Sequence, residues 1–136
     1  MTTVHFESTT AARAHLKDLL DAAADGRTAT LTRDGRRAAV IDAERLRRAL
    51  AATITAEPVI VAEAGQWSAF FGDLPISASG MTLDEAVADL ITALREYAED
   101  WTDHLRLAPN HRDNWALVQL IDLSTDAELE AWVTGA

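Results

Sequence analysis

Cysteine is absent from the 136-residue chain. That one absence excludes disulfides, thiolate zinc sites and a cysteine nucleophile. Long apolar runs are missing too. None approaches the roughly 20 residues a membrane-spanning helix needs, and no charged N-terminal stretch precedes an apolar one, so no secretory signal is expected. A cytoplasmic protein without a membrane partner is the expectation. The four histidines, His5, His15, His104 and His111, fall in no metal-ligand pattern, and H-E-x-x-H is not found. Neither a G-x-S-x-G turn nor a Gly-rich phosphate loop occurs. The Asp and Glu pairs of residues 84–103 sit at the spacing of a solvated helix face, whereas catalytic carboxylates need a partly buried, perturbed site. Neither catalysis, nor a cofactor, nor a bound metal is expected.

The charge present is unevenly distributed. The chain has 12 basic and 22 acidic residues, a net charge of −10. Residues 1–50 hold nine basic and seven acidic side chains, a net +2, whereas residues 51–136 hold three and fifteen, a net −12. A basic half suits a phosphate-bearing partner. The acidic half suits a basic protein, or serves solubility alone. The length accommodates one ordinary domain or two small ones.

The most informative stretch is Gly26–Ile41, GRTATLTRDGRRAAVI. It reads as two short strands joined by Asp34-Gly35, a pair suited to the positive φ angles of a tight hairpin turn. Arg33, Arg36 and Arg37 crowd that turn, either as a solvated tip or as an anion-binding one. Before the hairpin, Thr3–Phe6 is expected as a strand with Val4 and Phe6 on one face. A single helix should follow from the Ser8, Thr9 and Thr10 N-cap candidates to about Ala24, burying Ala12, Leu16, Leu19, Leu20 and Ala23. Arg13 and Lys17, four apart, would share another face of it. Gly26 should end this helix in the left-handed conformation. Asp42 should cap a further helix from Ala43 to about Ala52, with Leu46, Ala49 and Leu50 on its apolar edge. Fifty residues of this kind bury little apolar surface, so dimerisation is expected.

In order and spacing these residues resemble the N-terminal domain of the Phd/YefM antitoxins, over about residues 3–50. The matching positions are Ala12-Arg13 with Leu16, Leu19-Leu20-Asp21, Gly26, Leu31-Thr32-Arg33 with Gly35, and Ala39-Val40-Ile41. His15 stands where that family often has Asn, and Glu7–Ala11 is longer or more polar than usual. The resemblance implies a homodimer on palindromic operator DNA, with Arg13 and Arg33 contacting DNA and Lys17, Arg36 and Arg37 on phosphates. Arginine suits bidentate phosphate and guanine contacts, and two-fold symmetry presents each cluster twice.

The second half begins after a polar stretch, Thr53–Glu57, that precedes Pro58. Val59–Glu63, Trp67–Phe71 and Ile76–Ala78 read as strands, the first two joined by a turn at Ala64-Gly65-Gln66. Thr82–Glu85 reads as a capping box. The helix it opens carries a long stripe of Leu83, Ala86, Val87, Leu90, Ile91, Leu94, Tyr97, Ala98 and Trp101. Beyond Pro109, Asn110 is expected to cap an apolar helix containing Trp115, Leu117, Val118, Leu120, Ile121 and Leu123. Thr125–Glu128 is a second capping box. Trp101, Trp115 and Trp132 read as core, with a partner surface as the alternative. Over about residues 58–101 the order of strands, Asp73-Leu74-Pro75, Gly80, Thr82 and Glu85-Ala86 resembles a HicB-type antitoxin domain, which implies a small sheet crossed by the long helix. The Gly-Cys pair often found after the proline is replaced by Ile76-Ser77.

The expectation is an α+β protein with a dimerising, DNA-binding domain at 1–52 and an acidic domain at 57–136. The two resemblances imply a bacterial type II antitoxin that represses its own operon and binds a RelE/ParE-like toxin. A stand-alone DNA-binding regulator with a ligand-sensing or oligomerising C-terminal domain is the alternative.

Overall fold

Local chemistry sets the ends of most elements in the computed structural model, which describes residues 3–136. The fold is α+β and divides into two compact units, Met1–Leu46 and Arg47–Ala136. The division falls inside the helix α3 (Ala43–Thr53). Asp42 opens this helix by accepting the Arg45 backbone N–H at 3.1 Å.

In the first unit, β1 (Thr3–Phe6) pairs in parallel with β2 (Thr28–Arg33), and β2 pairs antiparallel with β3 (Arg36–Ala39). Asp34 and Gly35 make the turn at φ 50° and 74°, the positive values a two-residue hairpin requires. The expected single helix is instead two, α1 (Thr9–Ala14) and α2 (Leu16–Asp25). The break is at His15 (φ −123°, ψ 32°), whose ring stacks on Phe6 with centroids 5.0 Å apart. Ser8 caps α1 by accepting the Ala11 N–H at 3.1 Å, and Gly26 ends α2 at φ 79°. The break changes which residues turn inward. Ala12, Leu19, Ala22 and Ala29 form the buried core, with Val4, Phe6 and Leu31 packed on it. Leu16 and Leu20, expected inside, are 54% and 52% exposed.

In the second unit, β4 (Val59–Glu63), β5 (Gln66–Phe70) and β6 (Ser77–Gly80) form an antiparallel meander. The long helix α4 (Leu83–Asp103) packs against it. The expected stripe is buried from Ala86 to Ala98, with Trp101 half-buried and Leu83 exposed. Thr82 accepts the Glu85 N–H at 3.1 Å, but the Glu85 carboxylate takes the Met81 N–H at 2.9 Å, one residue outside the expected capping box. Two short 3-10 turns then lead to α5 (Trp115–Leu123) and α6 (Asp126–Thr134). Asn110 caps neither helix. Asn114 precedes α5, and its side-chain N–H donates to the Tyr97 hydroxyl at 2.9 Å. That hydroxyl also meets His111 Nδ1 at 2.9 Å, and the Trp101 indole N–H donates to the His111 carbonyl at 2.8 Å. The irregular segment before α5 is thus fastened to α4. The Thr125–Glu128 box forms in full. Arg95 joins α5 to α6: it donates to the Ile121 and Ser124 carbonyls at 2.6 and 2.8 Å and pairs with Asp126 at 2.8 Å. Trp115, expected in the core, is 51% exposed. Among the described residues no helix is long and apolar enough to cross a membrane.

Candidate nucleic-acid interface

The hairpin register sorts the three tip arginines. Residues directly opposite in an antiparallel pair share a face. Arg33 faces Arg36, so these two project together, on the side of Ala29 and Leu31. Arg37 faces Thr32 and projects to the other side. That second side is the open face of the sheet, where Arg37, His5, Thr28, Thr30 and Thr32 line a shallow recess of about 550 Å3. His5 is held there by Thr30 Oγ1 at 2.6 Å and Glu7 at 2.9 Å. Alternation along β3 separates Arg36 from Arg37, but deciding which of them joins Arg33 needed the two-residue turn. The hydroxyl-rich open face was missed; the alternating threonines of β2 were its signal.

Arg13 stands in the last turn of α1 and Lys17 in the first turn of α2. The His15 break lies between them, so they do not share a face of one helix as expected. Lys17 is engaged with Asp21 at 2.6 Å, and both are exposed. The hydrogen bond to Asp21 first, and its charge second, raise the Lys17 pKa. The ammonium therefore stays cationic, although an anion must share it with Asp21. Arg33 lies 3.6 Å from its neighbour Asp34, a loose and exposed pairing worth little. Among the described residues Arg13, Arg36 and Arg37 have no acidic partner. Three exposed guanidinium groups are therefore without internal partners, and Arg33 is only loosely engaged. No group of His, Cys, Asp or Glu among the described residues is placed to hold a metal ion.

A family model described as PHD-like, antitoxin of toxin-antitoxin, RelE/RelB, TA system, matches residues 1–131. The chain belongs to this antitoxin family. The match runs through both units of the antitoxin, the acidic one included. A crystal structure described as the antitoxin part of a proposed toxin/antitoxin system from Syntrophomonas wolfei subsp. wolfei aligns with a TM-score of 0.80. The alignment covers 97% of this chain and 96% of that one at 18% identity, and at that identity the likeness speaks for the fold. No curated protein matches. An antitoxin of this kind has a toxin as partner.

Proposed function

We propose that this antitoxin neutralises a RelE/ParE-like protein toxin by direct binding in the bacterial cytoplasm. As a dimer formed through residues 1–52, it also represses its own operon by binding operator DNA. The family match over 1–131 carries the first part. The free arginines of the first unit support the second, in a Phd/YefM-like strand, helix and hairpin arrangement. Arg33 and Arg36 are assigned to one DNA-facing cluster, Arg13 to a further contact, and Lys17 and Arg37 to phosphates. The dimer contact is assigned to Leu16 and Leu20, neighbours at i, i+4 on α2 that the fold leaves exposed. The three-stranded meander crossed by α4 supports a HicB-like reading of the second unit. A single dimer would then serve both activities, and if toxin alters operator affinity, operator alters toxin affinity by the same factor.

The test is binding of the purified antitoxin to its own promoter fragment across a salt series. Wild-type affinity should fall steeply with salt. In Arg33→Ala/Arg36→Ala the affinity should drop roughly tenfold or more, and the log–log salt slope should shrink by about 0.9 for each phosphate contact removed. Sedimentation should show Leu16→Glu/Leu20→Glu as a monomer with weakened operator binding. Salt-insensitive binding, or binding untouched by Arg13→Ala and Arg33→Ala, would sink the repressor reading.

A further inference from the structure

The second unit contains an apolar groove of about 650 Å3 for which the proposed function names no occupant. Val59 at the start of β4, Phe71 and Leu74 in the β5–β6 connection, Leu117 on α5 and Trp132 on α6 supply its apolar lining. Its walls are held in place. The Trp132 indole N–H donates to the Ile54 carbonyl at 2.8 Å. The β5–β6 connection is closed by Phe71 N–H to Ile76 O at 3.1 Å and Ile76 N–H to Leu74 O at 2.8 Å. A groove already shaped loses little entropy on binding.

The charge of the groove selects its occupant. Glu57, Asp73 and Asp113 line it, no Lys or Arg does, and none of the three carboxylates has a cationic partner among the described residues. The whole unit has five basic and fifteen acidic residues, a net −10. Phosphate is repelled by such a rim. A second copy of this unit would bring the same sign of charge. The carboxylates do not converge as a metal site. A protein segment with an apolar side chain flanked by Arg or Lys satisfies both the lining and the rim.

We propose that this groove is the docking site for a basic segment of the cognate toxin, with an apolar anchor seated over Leu117 and Trp132. The proposal rests on the antitoxin reading and locates its toxin contact. Apolar burial would supply the affinity, and the carboxylates would steer the encounter and fix orientation.

The experiment titrates the purified antitoxin with the purified product of the adjacent toxin gene. Two triple variants of equal charge change are compared: Glu57→Lys/Asp73→Lys/Asp113→Lys at the groove, and Glu96→Lys/Glu99→Lys/Asp100→Lys on the exposed side of α4. All the altered residues are exposed, and unchanged melting temperatures verify folding. The groove variant should bind at least tenfold more weakly and the α4 variant within about threefold of wild type, given that close charge pairs dominate over remote ones. Toxin should slow hydrogen exchange at residues 54–59, 71–74 and 113–117. Equal losses in the two variants, or none in either, overturn the groove while leaving the antitoxin reading intact. Failure of the wild-type chain to bind the toxin overturns both.

Discussion

Leu94→Ala should lower the unfolding free energy of the second unit by about 3–5 kcal/mol, the range for fully buried leucines that leave a cavity. Leu94 is 0% exposed and belongs to the core that joins α4 to Ala69, Ile76, Ile121 and Leu129. Sheet and helices all contribute to that core, so the space left by the lost side-chain carbons cannot close by moving one element. A domain of this size has about 5–15 kcal/mol of stability in total, so the substitution removes a large share. Urea denaturation should show a lower midpoint with an unchanged slope. Leu83→Ala on the same helix should cost less, about 1–1.5 kcal/mol, because Leu83 is 42% exposed and has less burial to lose. Equal costs at the two positions would contradict the packing described. Toxin neutralisation should fall with the folded fraction.

Gly80→Ala should destabilise the same unit by about 1–3 kcal/mol, and Gly80→Val by more. A Cβ at Gly80 would sit 2.5 Å from the Ala86 backbone nitrogen, 2.7 Å from Glu85 Cβ and 2.8 Å from the Glu85 carbonyl carbon. These are atoms of the first turn of α4, not the far end of a flexible side chain. That turn cannot retreat freely, being tied by Thr82 to Glu85, by Glu85 to Met81, and by the Ser79 N–H to Asp89 at 3.0 Å. The glycine is required by close approach of strand to helix. Gly72→Ala is the matched control, with nothing within 4 Å of its Cβ position. Thermal unfolding of the two variants should differ by several degrees. Indistinguishable melts would show that β6 and α4 are not in this tight contact.

Several features of the fold were legible because they depend on neighbours in sequence. The Asp34-Gly35 hairpin, the left-handed Gly26 and the Asp42 and Thr125 caps each involve residues within a few positions. The α4 stripe was legible because nine positions share one period and a 21-residue helix averages over local exceptions. The α1–α2 pair was not, since a one-residue break leaves the apolar spacing nearly unchanged while rotating α2 relative to α1. Leu16 and Leu20 turned outward and Ala22 inward for that reason. The same break split Arg13 from Lys17, so their expected place on one helix face was not legible in the spacing. Trp115 was misplaced because a hydrophobic segment shows its period poorly when nearly every position is apolar.

Caps, turns, periodicity and the segregation of charge arise from residues close together in the chain, and they already describe a two-part α+β protein with a basic and an acidic half. Which face each side chain takes depends on contacts between residues far apart. The first helix breaks at His15, whose ring stacks on Phe6 of β1, and the parallel β1–β2 register sets His5 beside Thr30 on the open face of the sheet. Glu57, Asp73 and Asp113 belong to segments that no periodicity relates, yet packing around Trp132 brings them to one groove. Local energies choose the elements; the burial of shared apolar surface chooses their faces.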